Sequence, residues 1–416
     1  MSLLDLVAVL LTLSALFGWV NRKLALLPHT IGLLVMGVAA SLVLLGIDAL
    51  VPGHHAAGLV RGVLGRIDFS AVVMDGMLAF LIFAGALSVD VEELRRRAGP
   101  VTALSILGTA LSTAIVGTGL WGLSLGLGRP LPLEWALVFG ALISPTDPVA
   151  VMSTLKSVDL PESLKVQIEG EALFNDGIGI VLFTVLLRFA SGASPGETSP
   201  GAVALLLARE AGGGLALGAV TGYLAYRAMR AIDDYPVEVL VTLALVTATY
   251  ALAERLGTSG PLAIVAAGLI IGDRGPRYAM SETTRRYVFG LWSLIDEVLN
   301  SVLFLLIGLE VTQLAVAGTD LLLALAAIPL VLGARAVAVA IWPALFRGWR
   351  DHLPASSVPL LVWAGVRGGI SIALSLSLPD GPAKPVLLTA TYAVVLFSIA
   401  VQGASLGALA RRTVKP

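Results

Sequence analysis

The sequence predicts an all-α polytopic membrane protein, organised as a single membrane domain over residues 1–416. Hydrophobic residues make up 57% of the chain and charged residues only 13%, whereas a soluble domain carries about 25% charged residues. Apolar runs recur from Leu3 almost to the C-terminus, and each is long enough to cross roughly 30 Å of hydrocarbon. These runs leave no room for a separate soluble domain.

The apolar runs, divided at charge clusters and at glycine and proline, predict about thirteen membrane spans. All should be helices, because an isolated span in hydrocarbon can satisfy its backbone only in that way. The first run has no basic segment before it and no small-residue cleavage site after it, so we expect it to be retained. The spans are predicted to begin near residues 3, 28, 69, 99, 132, 165, 201, 236, 258, 284, 318, 355 and 384.

Basic residues predict how these spans are oriented, because cytoplasmic loops are enriched in Lys and Arg. Most of the 27 basic residues fall in one set of loops. Only a minority fall in the other set: Arg61, Arg66, Arg129, Arg188, Arg209, Arg255 and Lys384. We therefore expect an external N-terminus and a cytoplasmic C-terminus, as an odd number of spans requires.

Cysteine and histidine content excludes several kinds of site. The chain has no cysteine and four histidines, so it has no thiolate metal site and no cysteine nucleophile. His54 and His55 lie together in a connecting segment, where a surface role is the simpler interpretation. We expect no cofactor and no nucleic-acid partner.

The fifth span is predicted to be broken at Pro145 and Pro148. Proline within a helix removes a donor and clashes with the preceding turn, so carbonyl groups should be freed here. Asp147 precedes Pro148 as an N-cap precedes the first helical residue, which starts a second half-helix. Free carbonyls, the Thr146 hydroxyl and the Asp147 carboxylate are hard oxygen ligands for a small cation. A plain proline kink with a capping aspartate is the simpler alternative.

The twelfth span is also predicted to be broken, at residues 365–369. It occupies the place that corresponds to span five if two inverted six-helix repeats flank the seventh span. Interrupted segments at matching positions indicate a binding site near the midplane of a transporter. This repeat is inferred from spacing and hydropathy alone, without residue-level similarity between the halves.

The sixth span carries Asp176 deep in an apolar run, where ionisable groups are expensive and usually functional. Burial disfavours the ionised carboxylate and a bound cation favours it, so proton and cation compete for one site. Glu171 points about 140° away from Asp176 on a helix and should have a different partner. Arg367 in the second break must be paired, and Glu171 is the natural candidate. A polar Asp176 that only joins helices is the alternative.

At these residues the sequence resembles the cation/proton antiporter superfamily, in the branch of sodium/proton exchangers and their prokaryotic relatives. The resemblance covers nearly the whole chain and includes several motifs in the expected order. These are residues 145–150, Glu169-Gly170-Glu171 with Asn175-Asp176, residues 253–269, residues 300–310 and residues 363–369.

The resemblance implies a homodimer in membrane lipid, with elevator-like movement of a core that bears two crossed, broken helices. The dimerisation part would cover approximately 1–90 and 236–313, the core 98–190 and 318–411, and a linker helix 201–230. It implies Asp176 as the carrier of proton and cation, with Thr146 and Asp147 as neighbouring ligands. Asn175 would stabilise the broken helices, while Glu171 and Arg367 match a family ion pair.

The Asn175-Asp176 pair resembles the members that exchange one cation for one proton. The charge balance agrees, because a proton and a monovalent cation neutralise Asp176 equally. Sodium is the expected cation, but relatives usually have serine at Ala172 and often an acidic residue near Ala84. Fewer oxygen ligands leave potassium, or another larger monovalent cation, as the alternative.

Two other classes of function are less compatible with these motifs. An intramembrane aspartyl protease would need catalytic aspartates in its own motifs, which neither Asp147 nor Asp176 has. A channel would need a selectivity filter, and an aspartate at a broken helix fits alternating access better. We expect no enzymatic activity. The short cytoplasmic tail and the motifs favour a prokaryotic plasma membrane.

Overall fold

The structure, a computed structural model, describes residues 3–24, 27–50, 69–155, 158, 160–192, 199–313, 318–345 and 357–413. Every regular element within these ranges is helical, as the composition predicts. The adjacent histidines His54 and His55 lie outside the described residues.

The described helices follow one another with short connections, and we number them in chain order. They are α1 (Leu3–Leu24), α2 (His29–Leu50), α3 (Phe69–Ser88), α4 (Val91–Arg96), α5 (Ala98–Gly126), α6 (Leu133–Ile143), α7 (Pro148–Leu155), α8 (Glu162–Ala190), α9 (Gly201–Met229), α10 (Tyr235–Leu256), α11 (Gly260–Tyr278), α12 (Glu282–Glu310), α13 (Gly318–Leu345), α14 (Val358–Trp363), α15 (Gly369–Leu376) and α16 (Ala383–Thr413). Short π-helical segments interrupt α3, α5, α9 and α16.

Eleven spans in the described part of the chain are long and apolar enough to cross a membrane. The protein is therefore a multi-pass membrane protein. Helices also begin close to the two remaining predicted starts, at α11 and at the α14–α15 pair. The count of thirteen spans and the inverted repeat remain predictions.

Several helix pairs have extensive contacts. α2 packs on α12, and α11 packs on α3, α9 and α10. α6 packs on α5 and α8, and α13 packs on α5 and α16. The residues that connect the halves of the two interrupted segments, α6–α7 and α14–α15, are buried inside the protein except for the half-buried Asp147. That placement lets non-helical backbone exist at membrane depth, because it is surrounded by protein rather than lipid.

Candidate ion-binding site

The first interrupted segment runs from the end of α6 at Ile143 to the start of α7 at Pro148. The Asp147 side chain caps α7, as predicted, because its Oδ1 accepts from the Val149 amide at 2.8 Å and the Ala150 amide at 3.3 Å. These bonds satisfy two of the free amides at the N-terminus of α7. Asp147 is half-buried, and only one of its oxygens is committed to the cap.

The second interrupted segment, between α14 and α15, contacts the first directly. The Asp147 amide donates to the Val366 carbonyl at 2.7 Å. Arg367 donates from Nη1 to the Pro145 carbonyl at 3.0 Å and also to the Ser144 carbonyl. The two breaks therefore satisfy each other's backbone groups, which could not remain unpaired away from water.

Gly368 brings the backbone of the second break against the Asp147 carboxylate. A Cβ atom at Gly368 would lie 2.1 Å from Asp147 Oδ2. No side chain fits in that space, so only glycine permits this approach. The free oxygen of Asp147 is thus held beside the start of α15.

Helix α8 packs on α6, beside the first break, and supplies Asn175 and Asp176. The Thr146 amide donates to Asn175 Oδ1 at 3.2 Å, and Asn175 Nδ2 donates to Thr146 Oγ1 at 2.8 Å. Asn175 is 1% exposed and Asp176 is 7% exposed. One side chain of α8 therefore fixes the first break, while its neighbour presents a buried carboxylate.

A cavity of about 670 Å³ brings the candidate ligands together. Its wall includes Pro145, Thr146, Asp147, Pro148 and Asp176 among the residues identified from the sequence. It also includes groups that the sequence analysis did not assign to the site: His29, Glu169, Ser293, Asp296, Glu297, Asn300 and Ser371. Hard oxygen atoms dominate the polar part of this wall, which suits a small cation rather than a soft metal. Among the described residues, no group of three His, Cys, Asp or Glu side chains is placed to hold a metal ion.

The expected pairing of Glu171 with Arg367 is wrong in this structure. Glu171 pairs with Arg335 of α13, through Nη2 and Oε2 at 3.0 Å and a second contact between Nη1 and Oε1. Arg335 also donates to the Leu361 carbonyl at 3.1 Å. Arg367 instead has the carbonyls of Ser144 and Pro145, which the proline break makes available. A lone arginine inside an apolar span was the available signal for Arg335, but sequence alone could not rank the two arginines.

The two positions at which the resemblance led us to expect ligands carry no side-chain oxygen. Ala84 and Gly85 of α3 lie in the cavity wall, and Ala172 of α8 is 1% exposed. Neither helix contributes a side-chain oxygen at these positions. The side-chain oxygens that line the cavity come from other elements.

The family of the chain follows from comparison with known proteins. The transmembrane model of the sodium/hydrogen exchangers matches residues 9–412. The chain belongs to the sodium/hydrogen exchanger family. This confirms the resemblance noted from the motifs at Asp147, Asp176 and Arg367.

Curated relatives within this family cover most of the chain. The Na(+)/H(+) antiporter NhaP of Pseudomonas aeruginosa is 44% identical, over 99% of this chain and 97% of its own length. The Na(+)/H(+) antiporter NhaH of Halobacillus dabanensis is 35% identical, over 83% of each protein. Both relatives carry the name of a transporter rather than of an enzyme.

A solved structure supports the fold. The sodium proton antiporter MjNhaP1 of Methanocaldococcus jannaschii, at pH 8, superposes with a TM-score of 0.72 at 20% identity. The match covers 98% of this chain and 97% of that one. The two proteins therefore share a fold over nearly the whole chain.

Proposed function

We propose that this member of the sodium/hydrogen exchanger family is a secondary antiporter that exchanges a monovalent cation, most directly Na⁺, for H⁺ at Asp176. The carboxylate of Asp176 lies buried in the wall of a cavity between two broken helices, and this observation carries the proposal. A buried carboxylate is costly when it is charged and unpaired. Either a proton or a cation relieves that cost, so the two compete for Asp176.

Thr146 and Asp147 are proposed as the other cation ligands. Pro145 and Pro148 leave the backbone around them non-helical, and Asn175 holds Thr146 in place. Glu171 and Arg367 support the breaks from outside the ion site, Glu171 through Arg335 and Arg367 through the carbonyls of the first break. No resident cofactor takes part, because the transported ions are the substrates.

One cation for one proton is the stoichiometry that this site favours. Asn175 is neutral, so of these two adjacent residues of α8 only Asp176 binds and releases a proton or a cation. The core then carries the same net charge in both directions. We therefore propose electroneutral exchange.

Alternating access is proposed to follow an elevator mechanism in a homodimer within the plasma membrane. The dimerisation part would comprise approximately 1–90 and 236–313, the core approximately 98–190 and 318–411, and the linker helix 201–230. The packing of α2 on α12 and of α6 on α5 and α8 supports this division. Between the two parts, Thr30 and Ser153 are 3.3 Å apart at the cavity, a contact that a sliding core can break.

Potassium in place of sodium is the second candidate, favoured by Ala84, Gly85 and Ala172. Fewer protein oxygens leave more water around the ion, and that favours the cation that is less costly to dehydrate. The exchange mechanism at Asp176 would be the same.

Proton flux in liposomes tests the proposal. Purified protein is reconstituted with an imposed pH gradient, and Na⁺, Li⁺, K⁺ or choline is added outside. Wild type should respond to Na⁺ and not to choline, while Asp176→Asn should lose the response because it cannot exchange a proton. Glu162→Gln on the exposed start of the same helix is the matched control and should retain it.

Retained exchange in Asp176→Asn would contradict the assignment of the carrier. A wild-type response to K⁺ but not to Na⁺ would select the second candidate. Repeating the assay with an imposed membrane potential tests the stoichiometry, and a strongly voltage-dependent rate would exclude one-for-one exchange.

A further inference from the structure

Ser371 of α15 has a buried hydroxyl for which the structure provides no obvious role. The residue lies in the wall of the ion cavity and is 1% exposed. Within the described chain, its Oγ has no hydrogen-bond partner. A hydroxyl that is removed from water without a partner costs free energy, so this one is expected to serve a ligand.

The other serines of this segment behave differently. Ser375 Oγ donates to the Ile372 carbonyl, and Ser377 Oγ donates to the Leu374 carbonyl, each at 2.8 Å. Both are satisfied by the preceding turn of helix, as is usual for serine. Ser371 lies in the first turn of α15, and the turn that precedes it is the non-helical break.

The other buried or partly buried hydroxyls on the cavity wall also have partners. Thr30 pairs with Ser153, and Thr146 accepts from Asn175. Of the hydroxyls in the described cavity wall, Ser371 thus combines burial with an unused oxygen.

The position of Ser371 places it near the cation ligands. Gly368, three residues earlier, is the extended N-cap of α15 and lies against Asp147 Oδ2. Ser371 lies in the first turn of α15, and both Ser371 and Asp147 line the same cavity. A dehydrated sodium ion is smaller than a water molecule, and its coordination would satisfy this buried oxygen.

We propose that Ser371 Oγ is a ligand of the transported cation and determines part of its selectivity. The inference rests on the proposed exchange function and deepens it. The hydroxyl takes the place of the side-chain oxygens that are missing at Ala84 and Ala172. It adds a hard ligand from the second broken helix, opposite the ligands from the first.

Ion-dependent thermal stability of the purified protein tests binding without transport. In Ser371→Ala the ion-free protein should unfold at the wild-type temperature or above, because an unpaired hydroxyl is lost. The stabilisation by added NaCl over choline chloride should shrink. In the control Ser375→Ala, which removes a hydroxyl bonded within the helix, the stabilisation by Na⁺ should remain.

Liposome flux tests the same residue in transport. The KM for Na⁺ of Ser371→Ala should rise about fivefold, as expected for the loss of one hydrogen-bonding or ligating oxygen, with a smaller change for K⁺. Ser371→Thr keeps the hydroxyl and should stay close to wild type. An unchanged KM together with unchanged Na⁺ stabilisation in Ser371→Ala would overturn the inference. A lowered ion-free stability with unchanged KM would also overturn it, because it would show a structural hydrogen bond.

Failure of the proposed function gives a different result. Wild type would then show no cation-driven proton flux at all, and Asp176→Asn would match it. Loss of Na⁺ stabilisation in Ser371→Ala, measured without transport, would still report on the ligand.

Discussion

Glu171 lies near two buried arginines and contacts Arg335 rather than Arg367. The three side chains are each less than a tenth exposed, so each charge needs compensation inside the protein. Arg335 obtains a carboxylate, whereas Arg367 obtains main-chain carbonyls that exist because the proline break freed them. Because the main-chain carbonyls already accept from Arg367, the Glu171 carboxylate pairs with Arg335.

A double-mutant cycle measures this pairing. Glu171→Gln and Arg335→Gln should each lose stability, by about 3–5 kcal/mol for an uncompensated buried charge. The double variant should lose less than the sum, because neither charge is then left alone. Thermal unfolding in detergent gives the values. The matched cycle of Glu171 with Arg367 should show the smaller coupling, and a larger one there would restore the pairing first expected.

At the scale of elements, close approach between helices depends on glycine. Gly214, Gly218 and Gly222 recur every fourth residue on α9, on the side that packs against α11. A Cβ at Gly218 would lie 1.9 Å from the Ala263 carbonyl oxygen. Small residues at this spacing let membrane helices pack backbone to backbone, and here they join α9 to α11.

Gly218→Ala should therefore destabilise the protein, although alanine favours helix. The added methyl meets main-chain atoms of α11, and such overpacking costs about 1–3 kcal/mol. The control is Gly212→Ala on the same helix, where a Cβ would meet nothing within 4 Å. That variant should be neutral or more stable by about 0.5–1 kcal/mol. Thermal unfolding in detergent compares the two, and equal stability would contradict close α9–α11 packing.

The two broken helices depend on each other. Each break is stable because the other supplies its partners, from the Asp147 amide to the Val366 carbonyl and from Arg367 to the carbonyls near Pro145. Neither segment would be satisfied alone in hydrocarbon. The breaks and α8 therefore form one unit around Asp176.

For the whole molecule, the cavity lies towards one end of the helix bundle. It is bordered by His29 at the start of α2, Ser88 at the end of α3, Ser153 near the end of α7 and Glu169 in the first turns of α8. The orientation predicted from basic residues places these ends on the cytoplasmic side. An inward-facing cavity is the state that this combination predicts.

Cysteine labelling tests the orientation and the facing together, and the chain has no native cysteine to interfere. Ser293→Cys, in an exposed part of the cavity wall, should react with an impermeant maleimide from the cytoplasmic side in inverted vesicles. Leu50→Cys, 82% exposed at the opposite end of α2, should react from the outside in intact cells. The reverse pattern would contradict an external N-terminus. Reaction of both cysteines from the same side would contradict the prediction that α2 crosses the membrane.

Much of this organisation is predictable from sequence. Apolar runs indicate helices, because an isolated segment in lipid can satisfy its backbone hydrogen bonds only as a helix. Pro145 and Pro148 indicate the first break, because proline lacks the backbone donor and clashes with the preceding helical turn. Asp147 as a cap is also a local property, since its oxygen bonds amides two and three residues later. Arg335 and Ser371 could not be assigned in this way, because the partner of Arg335 and the burial of the Ser371 hydroxyl depend on how helices far apart in the chain pack together.

A polytopic helical membrane protein, the location of its breaks and a candidate carboxylate for the site all follow from the sequence, because each depends on local composition and on the cost of charge in lipid. The arginine that Glu171 neutralises, the close approach of Gly368 to Asp147 and the unpartnered hydroxyl of Ser371 are visible only in the folded protein. These depend on the meeting of two breaks with α8 and α13, and no local pattern specifies how distant helices meet.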